Sequence, residues 1–588
     1  MIEHPSVSTS HALRRMLTEA PALGRGLGVT VALAGLGTAI QIVVPVIVQQ
    51  IIDNEILGSR DVDVAGVVTR GSVALVAMIV AIVVRRRALV RLAVRAAEGL
   101  SQLRVKAFGH IHRLSVLHVE SERRGALVSR VTSDVAAVQD FVDWGGVGIL
   151  VGAAQVVLAM GLMLVYEWRL ALLVLGGVVV YAGLLVWFQR ILQRLHDQVR
   201  RRVGDTLAAL SEAISGMLVV RAYGAEDATV RKVEEVVERE FATEVRTFAV
   251  GASLFSSAEI FAGAITAAVI AVGVATGAAE GTSAGTLLAM LFLVTLLVEP
   301  IQTLVETLDQ AQAAASGVRR IIEVLDTPPE ITEPAHPTPL PPGALDVEFD
   351  RVRFRYPTGE DVLSDVTVAV PSAMSVAVVG ETGSGKSTFA KLATRLLDPA
   401  GGTVRIGGVP LADVRVAELR QRMVFVPQEG FLFDGSIADN VRYGRPGVGD
   451  AEILVAFADL GLDDWLATLP DGPASRVGER GGQLSAGERQ LVALVRAWIA
   501  DPDVLVLDEA TSAVDPALEV RIRRAMERLV EGRTSITVAH RLSTAEASDR
   551  VLVFDQGRLV EEGEHDELVD AGGVYSALHR DWSAGTTS

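Results

Sequence analysis

The chain has 588 residues, a formal charge of −17, no cysteine, 50% apolar residues and only 5% aromatic ones. Half-apolar content excludes a disordered or collagen-like chain, and the lack of Cys excludes disulfides, thiolate metal sites, iron–sulfur clusters and thiol catalysis. Residues 1–330 are nearly neutral, with 29 basic against 31 acidic residues, so a net charge of about −15 falls on the remainder. That acidity argues against nucleic acid as a partner of the back half.

Charge-free apolar runs dominate residues 27–304. Runs of this length predict membrane-spanning helices, and six are expected: 27–52, 64–84, 144–165, 170–189, 256–276 and 283–304. The second is the shortest in charge-free length, and Arg70 is expected to reach for the outer interface. Segments 85–143 and 190–246 hold 11 and 10 basic residues. The short loops between the other spans hold two, Arg60 and Arg169. This asymmetry puts the long connections, both termini and the back half in the cytoplasm. No cleavable signal is expected, because residues 1–26 are polar and amphipathic. The long connections have helical spacing. Their tips, Val116–Gly125 and Ile214–Asp227, read as solvated hairpins or as docking elements for the back half.

A Pro-rich stretch, residues 326–343, separates the halves. Beyond it short apolar strands alternate with polar helices. Gly380-Glu381-Thr382-Gly383-Ser384-Gly385-Lys386-Ser387-Thr388 fits a phosphate-binding loop between a strand and a helix. Glycines there let backbone N–H groups close around phosphate oxygens, Lys386 reaches the β/γ-phosphates, and the Ser387 hydroxyl suits Mg²⁺. The apolar strand Val504–Leu507 ends in Asp508 and Glu509. Asp508 is placed to hold Mg²⁺ through water, and Glu509 to polarise an attacking water. Between these anchors, Leu484–Gln490 (LSAGERQ) has the polarity of a phosphate-facing or capped helix start. The histidines other than His540 show no metal-ligand spacing.

With these motifs in one chain, residues 10–580 resemble an exporter-type ATP-binding cassette half-transporter. The resemblance implies an all-α six-helix transmembrane domain followed by an α/β P-loop NTPase domain. The expected boundaries are 1–26 for an N-terminal segment, 27–325 for the membrane domain, 326–343 for the linker and 344–588 for the cassette. It also implies further roles. Tyr356 resembles the aromatic that stacks on adenine, and Gln428 the lid glutamine that links Mg²⁺ to the membrane domain. Ser485 and Gly487 lie in the signature, Asp515 in the loop that crosses the nucleotide-domain interface, and His540 matches the switch histidine at the γ-phosphate. Residues 476–481, 130–135 and 219–227 resemble coupling segments. The signature departs from LSGGQ at Ala486 and Glu488, where the acidic side chain would add negative charge beside a phosphate path.

With one P-loop and one signature in the chain, the resemblance implies a dimer, with ATP held between one chain's P-loop and its partner's signature. The altered signature tilts the expectation slightly toward a heterodimer. Glu299, well inside the sixth span, and Glu259, near an end of the fifth, are candidates for favouring cationic or amphipathic substrates. The resemblance implies export of a lipophilic small molecule, drug, lipid or peptide through the inner membrane, with ATP and Mg²⁺ as cofactors. An importer of the same fold and a membrane-tethered regulatory ATPase are the other readings. Arg outnumbers Lys so far, with only Lys106, Lys232, Lys386 and Lys391, that a bacterial source of high GC content is expected.

Overall fold

A computed structural model describes residues 9–57, 62–121, 124–280, 283–356, 359–508, 515–539 and 541–586. The chain forms two compact units: Met1–His112 with Glu122–Thr327, and Arg113–Ser121 with Pro328–Ser588.

The first unit is helical. Its main helices are Leu27–Gln50, Val64–Ile111, Val147–Tyr166, Trp168–Ser215, Glu226–Glu280 and Ala284–Asp326. Five helices are long and apolar enough to cross a bilayer, and the third predicted span falls on a shorter apolar segment, Val151–Tyr166. At 48 residues, Val64–Ile111 runs about 72 Å, more than twice a hydrocarbon core of about 30 Å. Its apolar stretch exposes Leu75, Ile79 and Ile82, a pattern suited to lipid and costly in water. The interior of the unit is packed: Leu170, Val174, Val269, Met290 and Leu293 are buried together, and Tyr181 stacks on Phe261 at 4.2 Å.

Polar side chains tie the ends of these helices. Arg70 does not end alone at an interface. It pairs with Glu55 at 2.7 Å and donates to the Gln50 carbonyl at 3.1 Å, which lowers the cost of a charge at the edge of an apolar stretch. Asp53 lies in a π-helical turn, Ile51–Ile56. Its carboxylate accepts from the Ser283 hydroxyl at 2.6 Å and the Gly285 amide at 3.0 Å, so it serves orphan groups at the start of the last helix. In the 130–135 segment, buried Asp134 accepts from Arg320 Nε at 2.9 and 3.1 Å. At the second predicted tip, the short helix Met217–Ala222 leaves Leu218 82% and Tyr223 83% exposed.

The second unit is α/β. A six-stranded sheet has the order β10-β9-β3-β8-β7-β6. Its strands are β3 Ser375–Val379, β6 Met423–Val426, β7 Val504–Asp508, β8 Thr534–Val538, β9 Arg550–Asp555 and β10 Arg558–Gly563. All neighbours are parallel except β10. β3, β7 and β8 are apolar or buried almost throughout, as strands covered on both faces must be. A second, antiparallel sheet has the order β2-β1-β4-β5, where β1 is Val347–Arg355, β2 Asp361–Val370, β4 Gly401–Ile406 and β5 Val409–Pro410. Phe389, from the helix after β3, joins the two sheets by stacking on Phe349 at 4.2 Å and leaning on Phe554 at 5.1 Å.

From Pro328 the Pro-rich stretch belongs to this unit and is bonded to it. Thr338 N–H donates to the Asp413 carbonyl at 2.8 Å, and Leu340 N–H to Glu418 at 2.9 Å. Prolines supply no donors, so carbonyls of the stretch are free to accept from arginines: Thr332 from Arg395 and Gly343 from Arg422. Arg113–Ser121 is part of the same unit. Ser115 donates to Glu330 at 2.6 Å, and Leu117 packs on the core.

Candidate functional site: a phosphate cradle at the sheet edge

Parallel strands end on one edge, where open α/β sheets bind their ligands. Four motif-bearing segments leave the sheet there. The P-loop follows β3. Gln428 comes two residues after β6, Asp508 ends β7, and β8 leads through Ala539 to position 540. Pairing of Val426 with Leu507 and of Asp508 with Val538 fixes this alignment.

The P-loop has positive φ at Gly380, Gly383 and Gly385, and at two of these a side chain would also collide with its surroundings. Gly380 has φ +148°, and a Cβ there would collide with the Phe554 carbonyl oxygen. Gly385 has φ +101°, and a Cβ there would lie 2.7 Å from the Leu363 side chain. Both values lie in the region that L side chains avoid. Inside the loop the Ser384 hydroxyl is buried and has no hydrogen-bond partner among the described residues. Buried orphans of this kind are rare and call for a ligand. Lys386, also buried, turns Nζ back onto the loop's own carbonyls, those of Gly380 and Glu381, both at 2.7 Å. Burial pushes its pKa below the ordinary lysine value, and the Asp508 charge partly restores it. A cationic donor, a curled backbone and an orphan hydroxyl together fit a polyphosphate.

Around this cradle, Glu381, Thr382, Gly383 and Ser387 are exposed, and Thr388 is buried. The Tyr356 and Thr388 hydroxyls are 3.2 Å apart, and the Tyr356 ring meets Phe354 edge-on at 5.2 Å. Gln428 is exposed beyond β6. Asp515 caps the helix Pro516–Val530 by accepting from the Ala517 amide at 2.8 Å. Glu509, His540 and residues 510–514 lie outside the described residues.

The signature is built differently. Ser485 caps the helix Ala486–Ala500 and stays exposed, while Gly487 is buried. Glu488 completes a capping box. Its carboxylate accepts from Ser485 N–H at 2.8 Å, and its own N–H donates to the Ser485 hydroxyl at 3.3 Å. The other carboxylate oxygen accepts from the Trp465 indole at 3.1 Å. Burial opposes the ionisation of Glu488, but the bonds from Ser485 and Trp465 outweigh it and hold its pKa below the usual value. The acidic departure from the family pattern is therefore absorbed by the helix start. S-x-x-E is legible as a capping box in sequence; Trp465, the third member, carries no such signal. A cavity of the second unit lined by Glu519, Ile522, Arg523 and Arg541 includes none of the predicted nucleotide residues.

The family described as "ABC transporter transmembrane region" matches residues 27–301, and that described as "ABC transporter" matches residues 363–512. An uncharacterised ABC transporter ATP-binding protein of Bacillus subtilis, YknV, is 30% identical over 553 residues, 92% of this chain and 90% of that protein. An ATP-dependent lipid A-core flippase of Desulfotalea psychrophila is 32% identical over 480 residues, 82% of this chain and 84% of that one. Among solved structures, a bacterial Atm1-family ABC exporter with ATP bound superposes with a TM-score of 0.78 at 26% identity, covering 96% of this chain and 98% of that one. The chain thus belongs to the ABC transporter family, as an exporter-type half-transporter whose nucleotide-binding ATPase unit drives translocation.

Proposed function

We propose that two such chains move lipophilic or amphipathic molecules outward across a bacterial inner membrane, through six spans per chain with Val147–Tyr166 as the third. Each nucleotide is held between Lys386 and its loop on one chain and Ser485 and Gly487 on the other. The observation that carries this reading is the P-loop, where the buried Ser384 hydroxyl lacks a partner among the described residues and Lys386 is spent on the loop's own carbonyls. ATP supplies the phosphate that joins the two chains, and Mg²⁺ the charge neutralisation its hydrolysis needs.

The chain's own groups then divide the work. Lys386 exchanges two carbonyl partners for phosphate oxygens, a stronger charge-assisted pairing. The Tyr356 ring supports the adenine, next to the Thr388 hydroxyl. The Ser387 hydroxyl, the Gln428 amide oxygen and the Asp508 carboxylate are the oxygen donors for the metal, Asp508 through water. Glu509 orients and deprotonates the attacking water, and His540 contacts the γ-phosphate. Ser485 keeps its O–H free to donate while its oxygen caps its own helix. Because Glu488 is turned onto Ser485 and Trp465, the signature stays competent and a pair of identical chains suffices. The exposed Leu218 and Tyr223 favour cover by a second chain.

Glu299 and Glu259 are exposed on the last two long helices. A carboxylate within a span is costly against lipid and is expected to face a hydrated path, which favours cationic amphiphiles. The test is uptake of a fluorescent phospholipid and a cationic dye by inside-out vesicles supplied with external ATP. ATP-dependent uptake by the native chain, abolished in Glu509→Gln, is expected. Undiminished ATP hydrolysis with no movement of any probe would refute the transport reading. An unchanged dye preference in Glu299→Gln would refute the role of that carboxylate.

A further inference from the structure

Far along the chain from the P-loop, the second unit gathers Glu546, His565 and His579. One ligand atom of each lies within 4.8 Å of the other two. They come from three elements: the helices Leu542–Glu546, His565–Asp570 and Val574–Thr586. We propose that these residues form a zinc site that ties the three helices together, a role separate from nucleotide binding.

The donor set selects the ion. Two imidazoles and one carboxylate suit a borderline transition metal such as Zn²⁺, while Mg²⁺ and Ca²⁺ prefer oxygen alone. The site is also oriented from outside. The hydroxyl of Tyr575, wholly buried, lies 2.7 Å from His565 Nδ1. With Nδ1–H donating to that hydroxyl, Nε2 keeps its lone pair for the metal, the arrangement by which outer partners fix a ligating histidine. Tyr575 and His579 are four residues apart on one helix and share a face. The start of that helix is pinned by Glu561, whose carboxylate accepts from the Val574 amide at 2.6 Å and the Tyr575 amide at 3.0 Å. The two imidazole rings are already 5.6 Å apart between centroids.

Charge favours a cation at this place. Glu546 and His565, though not His579, line an open cavity of about 610 Å³ together with Asp549, Glu564 and Asp566, so several carboxylates face the neighbourhood of the site. Tetrahedral zinc with bonds of about 2.0–2.1 Å brings ligand atoms to about 3.4 Å from one another. Closing from 4.8 Å needs only a small side-chain movement, and Glu546, exposed at a helix end, is free to make it. The fourth position is left to water. The helix Leu542–Glu546 begins two residues after His540, so a bound ion would brace the segment that follows the predicted phosphate-sensing histidine.

The purified full-length transporter, stripped with EDTA and dialysed against buffered zinc, tests this directly. One zinc per chain and a higher thermal midpoint with zinc are expected. His565→Ala/His579→Ala should lose both, and Tyr575→Phe should weaken zinc affinity by about 10–100-fold, as removal of an outer partner does. His579→Gln, at a partly exposed position, guards against misfolding; it should keep ATP binding at the P-loop while losing zinc. Equal zinc content in the native chain and the double-alanine variant would overturn the proposal, as would a native chain that takes up no zinc. ATP binding is read separately, so a failed zinc site and a failed nucleotide site give different results.

Discussion

The P-loop and the signature both present a helix N-terminus with small residues and a serine, yet they are finished to different degrees. At the P-loop, Ser384 is buried without a hydrogen-bond partner among the described residues, and Lys386 leans on carbonyls of its own loop. At the signature three nearby donors are served: Ser485 N–H and the Trp465 indole by Glu488, and Glu488 N–H by Ser485. An unfinished polar site gains most from a ligand, because the cost of its orphan groups is relieved on binding. A finished one gains little by binding alone and works best as a rigid surface for another chain to use. In the function proposed above, the first is the receptor for nucleotide and the second is one wall of a site that a partner completes.

The largest expected effect separates holding nucleotide from spending it. Glu509→Gln keeps the shape of the side chain and removes its basicity. It should cut turnover by about 10²–10⁴-fold while equilibrium dialysis still finds ATP bound. Rapid hydrolysis by this variant would remove Glu509 from the mechanism. Next comes the receptor itself. Lys386→Ala loses a charge-assisted contact worth about 1.5–3 kcal/mol, so ATP affinity should fall by about 10–100-fold. Ser485→Ala should leave the affinity of a dispersed single chain unchanged and impair only ATP-dependent pairing. If both variants weakened single-chain binding equally, the contrast between the two serines would collapse.

Burial adds a pH signature to ATP affinity on the receptor side. It lowers the Lys386 pKa against the opposing pull of Asp508. Phosphate favours the charged lysine, so on the alkaline side the free chain has lost a proton that the complex recovers. ATP affinity should therefore fall as pH rises through the lowered pKa, earlier than for an ordinary lysine. Calorimetry in two buffers of different ionisation enthalpy should register proton uptake on binding there. A flat affinity across that range would mean that Lys386 does not hold the phosphate.

Much of this was legible in sequence because it depends on local spacing. The P-loop is nine consecutive residues between a strand and a helix, and its geometry follows from its glycines. The long apolar runs marked five helices long enough to cross a bilayer, with the third predicted span on a shorter apolar helix, because hydrocarbon thickness sets their length. What escaped depends on contacts between distant elements. The Asp53 bond to Ser283 joins the first predicted loop to the last span. Arg395 and Arg422 bind the Pro-rich stretch that reads as a spacer. The histidines with no ligand spacing meet only because two helices and the end of a third converge on Tyr575. Glu488 divides along the same line. Its bond to Ser485 is local and follows a known pattern, whereas its bond to Trp465 is set by packing.

That second bond gives the smallest prediction and the finest test of the contrast. Glutamine, the usual residue at position 488 in the resembling pattern, has one acceptor oxygen and one amide group. The site offers two donors, Ser485 N–H and Trp465 Nε1–H, so Glu488→Gln leaves one donor facing another. The expected cost is about 1 kcal/mol of stability at neutral pH, read from the thermal midpoint, with P-loop affinity unchanged. Its pH dependence has a definite sign. The folded pKa of Glu488 lies below the ordinary value, so its ionisation stabilises the fold fully above the ordinary glutamate pKa and progressively less as pH falls through the folded value. The gap between the native chain and Glu488→Gln should therefore narrow in acid. In a Trp465→Phe background one donor is gone, and the glutamine penalty should shrink, as a double-mutant cycle would show. A penalty unchanged by Trp465→Phe, accompanied by tighter ATP binding in Glu488→Gln, would mean that the carboxylate faces phosphate and that the signature is the unfinished site after all.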